Sequence, residues 1–339
     1  SGTSRGVLTT KETYLLEISK NNKKGIGECA IFRGLSYDDV PDYEEKLTWL
    51  CKNINLDFEV LKKELLHYPS IIFGLEQALL NLEHGEDLYF PSDFTDGKDS
   101  IKINGLIWMG NADFMQSQIE EKLAKGFDCI KLKIGVDWKS EKEIIKKLRE
   151  KFPKEQLELR VDANGAFSYE EATIVLQELA DLGIHSIEQP IKKSEVRSPK
   201  SEENSEKKST DCCIPWNKMA RLCAETPTPI ALDEELIGII DFEEKKKLLE
   251  TIKPQYIILK PALVGGFSGS DEWIAIAESL GINWWITSAL ESNIGLNAIC
   301  QYTYTKKNPL PQGLGTGALF TNNFETHLQL EGDQMWHKK

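Results

Sequence analysis

Charged residues stand at the end of one short apolar run after another in this chain. Lys131-Leu132-Lys133 is the first. Asp162 follows in Val-Asp-Ala-Asn-Gly, Glu188 in Ile-Glu-Gln-Pro, Asp233 in Leu-Asp-Glu-Glu and Lys260 in Ile-Leu-Lys-Pro. A strand that is apolar throughout is covered on both faces. A charge at its carboxyl end therefore needs a reason. One such carboxylate is ordinarily a helix cap or half of a loop salt bridge. Five strand ends in succession are not explained that way.

The spacing of these ends describes the scaffold. Lys133 to Asp162 is 29 residues, Asp162 to Glu188 is 26 and Asp233 to Lys260 is 27. The gap of 45 from Glu188 to Asp233 contains residues 191–211, IKKSEVRSPKSEENSEKKSTD, which are almost devoid of apolar side chains. That composition cannot bury a core and reads as a flexible insertion. Without it, the gap shrinks to the length of one strand-plus-helix unit. Repeats of that unit predict a parallel sheet, and a long series predicts a closed barrel.

The intervening stretches read as helices. Ser140 is the expected cap of Glu141–Phe152, where Ile144, Ile145 and Leu148 share a face. Ser168 precedes Tyr169–Leu182, with Ile174, Leu176, Leu179 and Leu182 apolar and Gly183 after them. Trp273–Leu280 ends likewise at Gly281. Strands are expected at Ile101–Asn104, Cys129–Ile134, Leu157–Asp162, His185–Glu188, Ile230–Asp233, Tyr256–Lys260 and Trp284–Ser288, with an eighth around Gln312–Leu314. The barrel would occupy 99–315.

Residues 1–98 are too many for a tail. Thr10–Ser19 and Gly25–Ile31 read as a hairpin turning at Asn21-Asn22, and Glu44–Cys51, Phe58–Leu66 and Phe73–Leu82 as helices. These predict a smaller α+β domain, completed by 316–339 and packed over the barrel mouth. Across 339 residues no apolar run approaches the length of a membrane span, and no signal peptide is visible. The seven cysteines are odd in number and scattered without CxxC spacing, which predicts reduced thiols in a cytoplasmic protein. A net charge of −13 argues against nucleic acid or an acidic membrane surface as a partner. Oligomeric state is not legible.

Asp162, Glu188 and Asp233 would end three adjacent strands, about 4.8 Å apart. Three carboxylates that close stay ionised only around a shared cation. As hard oxygen donors without His or Cys, they favour Mg²⁺, with Mn²⁺ as a substitute. A salt-bridge network with the lysines is the other reading. Lys131 and Lys133 are two apart, so both point to the same face, inward. Lys260, on the sixth strand, would stand across the barrel from them. A lysine acts as a base only in its neutral form, which neighbouring cations favour. The predicted chemistry is removal of a proton alpha to a carboxylate, with the metal stabilising the enediolate.

KLKIG, VDANGAF, EQP, LDEE and LKP, in this order, resemble the enolase superfamily, muconate-lactonizing-enzyme subgroup. The resemblance covers nearly the whole chain. It implies an α/β fold, a modified TIM barrel of (β/α)7β form with an α+β capping domain. It also implies Lys133 as the acid/base residue, Lys260 opposite it, and Lys131 as an electrostatic helper. Asp162, Glu188 and Asp233 become the Mg²⁺ ligands, supported from behind by Asn164 and Glu234.

Within the subgroup, three segments resemble o-succinylbenzoate synthases. They are Gly27-Glu28-Cys29 with Arg33-Gly34-Leu35-Ser36, Ser288-Ala289-Leu290-Glu291-Ser292-Asn293-Ile294-Gly295, and Leu314-Gly315-Thr316-Gly317-Ala318-Leu319-Phe320. The resemblance implies substrate contacts from Arg33, Ser36, Ser288, Ala289, Glu291 and Gly315. Dipeptide epimerases of the subgroup carry Asp-x-Asp where this chain has Gly-Thr-Gly. The implied activity is dehydration of a small dicarboxylate to 2-succinylbenzoate, in menaquinone biosynthesis. N-acylamino-acid racemisation or dipeptide epimerisation by the same machinery is the alternative. A non-catalytic ligand-binding barrel is a more remote one.

Overall fold

The computed structural model describes residues 2–3, 6–7, 10–108, 110, 112–193, 216–317, 320 and 323–338. Most of the predicted insertion, together with Cys212-Cys213, lies outside the described residues. A short pair, β1 (Gly2–Thr3) and β2 (Gly6–Val7), opens the chain. The hairpin β3 (Tyr14–Lys20) and β4 (Lys23–Cys29) turns at Asn21 and Asn22. Both have positive φ, 50° and 62°, as a two-residue turn matched to strand twist requires. Helices α1 (Tyr43–Asn53), α2 (Phe58–Glu64) and α3 (Pro69–His84) follow. Leu16, Cys29, Tyr43, Leu50, Leu61 and Ile71 belong to a core of their own there. Helix α3 lies so close on β4 that a Cβ on Gly27 would meet the Gly74 carbonyl oxygen at 1.9 Å.

The rest alternates strand and helix. In order come β5 (Ile101–Lys102), β6 (Gly105–Ile107), α4 (Ala112–Ala124), β7 (Cys129–Lys133), α5 (Trp138–Lys151), β8 (Glu158–Asp162), α6 (Tyr169–Asp181) and β9 (Ser186–Glu188). Then follow α7 (Asn217–Glu225), β10 (Ile230–Leu232), α8 (Phe242–Ile252), β11 (Tyr256–Leu259), α9 (Pro261–Val264), α10 (Gly266–Ser279), β12 (Asn283–Ile286) and α11 (Asn293–Thr305). Strands β6 to β12 form one curled seven-stranded sheet in chain order, and every ladder is parallel. The sheet is not closed into a full barrel: beyond its edges, Ile103 and Thr287 make only isolated parallel bridges, to Gln312 and Gly313. Among the described residues there is no eighth full ladder strand.

Some expectations need correcting. Ile101–Lys102 does not open the parallel sheet. It pairs with the C-terminal hairpin β13 (Leu328–Glu331) and β14 (Gln334–His337), and the sheet begins at Gly105. Helix α5 is capped by Asp137, not Ser140, whose backbone N–H and hydroxyl both donate to that carboxylate, the hydroxyl at 2.6 Å. Ser168 does cap α6, in a reciprocal capping box with Glu171. Ile174, however, is 63% exposed; the buried face is Ala172, Val175, Leu176 and Leu179.

Alternation decides what the sheet encloses. On β7, Ile130 and Leu132 face the helices, so Lys131 and Lys133 turn inward. Two residues before Asp162 on β8, Arg160 also points inward and is 1% exposed. Its guanidinium lies 4.2 Å from the Trp285 ring and donates to Glu158 and to the Pro311 carbonyl. The floor below the charged layer is thus filled by packed side chains.

Helix α3 is bolted to the start of α10 by Glu76. This buried carboxylate accepts backbone hydrogen bonds from Phe267 (2.5 Å) and Ser268 (3.2 Å) at the start of α10. Burial outweighs those bonds and pushes its pKa up to about 7. A raised folded-state pKa means that ionising Glu76 destabilises the fold, so this contribution falls as pH rises from about 4.5 to about 7. The melting temperature of Glu76→Gln relative to wild type should therefore climb across that interval and level off above it. The scale is set by about 1.4 kcal/mol per pKa unit. Parallel thermal unfolding of both proteins from pH 4.5 to 8 measures it; a difference constant with pH would show that Glu76 does not titrate there.

Candidate active site

The parallel register sets the ends of the strands side by side. Lys133 pairs with Asp162, Asp162 with Glu188, and Glu188 with Ala231, two residues before Asp233. All three acids are buried to 2% exposure. The chain turns sharply after them, with Asn164 at φ 44° and Gln189 at φ 41°, a region Asn tolerates better than most residues. Gly165 follows at φ 72°, where a Cβ would strike the Lys192 backbone.

The lysines lie among the acids. Lys131 Nζ is 3.0 Å from Asp162 Oδ2 and also pairs with Glu188. Lys133 Nζ is 3.0 Å from Asp162 Oδ2 and donates to Asn164 Oδ1 at 2.6 Å. Lys260 pairs with Asp233. Asn164 reaches on to Glu234 Oε1 at 3.0 Å. Burial pushes the Asp162 carboxyl up, but Lys131, Lys133 and Lys260 together hold it below the usual carboxylate range. Glu188 goes the other way: burial first, then the Asp162 charge, raises it to about 8. Burial also raises Asp233 despite Lys260 beside it. Burial alone would lower Lys131 and Lys260, yet their acidic neighbours keep both above the ordinary lysine value.

This donor set fits a hard divalent cation. Three carboxylates end adjacent strands, and Glu188 Oε1 is buried without a hydrogen-bond partner among the described residues. The acids are not drawn together around a common point. Among the described residues, the one group of three His, Cys or carboxylate ligand atoms within 4.8 Å of one another is Asp87, His327 and His337. The lysine ammonium groups stand where a cation would compete for the same oxygens.

A cleft of about 850 Å³ opens above this layer. Lys131, Lys133, Asp162, Asn164, Glu234 and Lys260 line it, as do Ser288, Ala289 and Gly315. Arg33, Ser36 and Glu291 do not. Arg33 is turned to the surface by ion pairs with Glu12 and Asp39. Ser36 accepts the Phe32 backbone N–H at 2.8 Å and so shapes its own loop. Glu291 is buried behind the cleft, where its carboxylate takes hydrogen bonds from Ser288 Oγ (2.5 Å) and Ala289 N (2.8 Å). The loop expected from Arg33–Ser36 does reach the cleft, but through Phe32 and Leu35. Trp108 and Leu106 also line it and were not read from sequence. An inward alternation at β6 was the signal for Leu106, hidden by the misplaced first strand.

The loop after β12 is locked by residues near the start of the chain. Lys11 Nζ donates to the carbonyls of Ala289 (3.2 Å) and Leu290 (2.9 Å). Glu28 accepts from Thr13 Oγ1, Ser292 N, Ser292 Oγ and Gly295 N, all within 3.0 Å.

The family model described as "Enolase C-terminal domain-like" matches residues 115–201 and 211–334. The o-succinylbenzoate synthase of Desulfotalea psychrophila is 41% identical, over 98% of this chain and 94% of that protein. The crystal structure of MenC from the same organism superposes with a TM-score of 0.82 at 39% identity, covering 96% of this chain and 94% of that one. Muconate lactonizing enzyme from Pseudomonas putida shares the fold, with a TM-score of 0.73 at 22% identity over 95% of this chain and 88% of that one. The chain therefore belongs to the enolase superfamily.

Proposed function

We propose that this chain is an o-succinylbenzoate synthase. It is a lyase that dehydrates 2-succinyl-6-hydroxy-2,4-cyclohexadiene-1-carboxylate to 2-succinylbenzoate in menaquinone biosynthesis. The observation that carries the reading is a cleft between Lys133 and Lys260, above Asp162, Glu188 and Asp233, in a chain 41% identical to such an enzyme along nearly its whole length. The fold proposed with it is the (β/α)7β barrel over 99–315, capped by 1–98 and completed by 316–339. The bridges at Gln312 and Gly313 support its closure. Among the described residues no helix is long and apolar enough to cross a membrane. We place the reaction in the cytoplasm.

Asp162, Glu188 and Asp233 would hold Mg²⁺ or Mn²⁺, supplying a Lewis acid for the substrate carboxylate. Lys133 removes the proton alpha to that carboxylate, leaving an enediolate. The ring carbon–oxygen bond to the 6-hydroxyl then breaks, and Lys133 returns its proton so that water departs. Lys260, from the other side, opposes the negative charge that develops. Asn164 holds Lys133 by its 2.6 Å hydrogen bond. Ser288, Ala289 and Gly315 face the substrate, and Phe32, Leu35 and Trp108 shield it from water.

The metal reading has a direct check. A chelator should abolish dehydration, and Mg²⁺ or Mn²⁺ should restore it. Asp233→Asn should bind the cation poorly while keeping a wild-type circular dichroism spectrum. Full turnover in excess chelator would sink the assignment.

The two lysines should behave differently. Lys133→Ala should lose roughly 10²–10⁴-fold or more in turnover of the cyclohexadiene acid. Lys260→Arg keeps a cation and should retain a measurable fraction. In a racemase each lysine serves one enantiomer, so Lys260→Arg would stop alpha-proton exchange for one hand of an N-acylamino acid. Turnover of both variants, with deuterium exchange on each enantiomer, separates the readings; wild-type dehydration by Lys133→Ala would overturn the catalytic assignment.

A further inference from the structure

None of Asp87, His327 and His337 lines the cleft, yet their ligand atoms converge within 4.8 Å. Asp87 follows α3, and the two histidines flank the C-terminal hairpin, 240 and 250 residues further along the chain. The hairpin ladder pairs His337 with Leu328, next to His327, so the rings stand 5.4 Å apart. Asp87 Oδ2 receives His327 Nδ1 at 2.6 Å and His337 Nε2 at 3.0 Å. Hydrogen bonds from His337 and then His327, against burial, hold the Asp87 carboxyl well below the usual range, so it is ionised at neutral pH.

Two features exceed what a simple ion-pair clamp requires. Asp87 Oδ1 and His337 Nδ1 are both buried and make no hydrogen bond among the described residues. The Asp87 carboxylate therefore has an oxygen to spare beside two imidazole nitrogens. His337 itself is fully buried, its ring 5.9 Å from that of Phe94. The support behind Asp87 is stiff, because its carbonyl accepts Asn297 Nδ2 (3.0 Å) and Gln301 Nε2 (2.8 Å) from α11. His327 is 45% exposed in its side chain, which leaves one side open to water.

We propose that Asp87, His327 and His337 form a second metal site, for a late first-row divalent cation such as Zn²⁺, which staples the C-terminal hairpin to the segment leaving α3. Two imidazoles and one carboxylate are the donors such an ion takes, with a water completing the tetrahedron. Tetrahedral bonds of about 2.0–2.1 Å put ligand atoms roughly 3.3 Å apart. The observed 2.6 and 3.0 Å open to that by shifts well under 1 Å. The tautomer change is undemanding: His337 Nδ1 lacks a partner with or without the ion, and His327 turns its other nitrogen toward water. The donor set is also opposite in preference to the three-carboxylate layer, so excess Mg²⁺ occupies one site without competing for the other. The inference is independent of the reading of the cleft.

The test uses the full chain, stripped of metal and held in excess Mg²⁺. Zn²⁺ titration by calorimetry should show one added site per chain in wild type. His327→Ala, an exposed position that leaves the hairpin ladder intact, should weaken that site at least tenfold. Zn²⁺ should raise the melting temperature of wild type but not of the variant, because an ion bound only to the folded state stabilises it. Co²⁺ in place of Zn²⁺ should give the visible absorption of a four-coordinate nitrogen and oxygen site in wild type alone. Equal Zn²⁺ binding by wild type and His327→Ala, or no binding beyond Mg²⁺, would overturn the proposal and leave a hydrogen-bonded clamp.

Discussion

Carboxylates and ammonium groups share one buried layer at the carboxyl ends of β7 to β11, and the surrounding fold is arranged to keep them there. The parallel ladder makes Lys133, Asp162 and Glu188 direct neighbours, so none can be ignored electrostatically. A buried ion-pair network is a poor way to gain stability; apolar residues of similar volume often do as well or better. The cost shows in the opposed shifts of Asp162, held down by three lysines, and Glu188, pushed up to about 8. Beneath the layer, Arg160 packed on Trp285 closes the floor and keeps the charges at one level. A sequence that retains such a layer is using it for chemistry or for binding.

The first domain reaches the barrel through other buried carboxylates, used as acceptors for backbone N–H groups at helix starts. Glu76 takes the amides of Phe267 and Ser268, and Glu28 those of Ser292 and Gly295. Helix starts carry unsatisfied donors and a favourable dipole, so an acid from a neighbouring domain satisfies both. Lys11 and Glu291 complete the arrangement around Ser288–Leu290. Leu290 sits there at φ 63°, an uncommon conformation for a large residue, held by its neighbours. The cleft wall is therefore set jointly by the loop after β12 and by residues 11–28 near the start of the chain.

The strand ends were legible because charge on an apolar run is a strong signal, and period-two alternation then fixed which lysines turn inward. Ser168 was legible because the capping box is local. Helix α11 was not, since Asn293–Thr305 is buried on almost every side and rich in Gly, Asn, Thr and Tyr, so it shows no amphipathic stripe. Helices α4, α7 and α8 also went unassigned. Ile101–Lys102 was misassigned because its partner, β14, lies over 230 residues away and a two-residue strand has no period to read. Arg33 and Glu291 lie on loops at the cleft without lining it. Their orientation is decided by Glu12, Asp39 and Ser288, which no local pattern announces.

The charge count of the cleft constrains how a dicarboxylate could enter it on the proposed reading. With Glu188 pushed up to about 8 and so protonated at neutral pH, Lys131, Lys133 and Lys260 in and beneath the cleft meet Asp162, Asp233 and Glu234, three formal charges of each sign. A site with no net positive charge does not attract an anion. A divalent cation there would keep Glu188 ionised and still leave one net positive charge, with the lysine ammonium groups released from their carboxylates. Attraction for the substrate would therefore depend on the cation being present first. The apolar wall of Phe32, Leu35 and Trp108 strengthens that dependence, because charges interact more strongly where water is excluded. The same lysines that neutralise the acids without a cation become, with one, the groups free to meet the substrate.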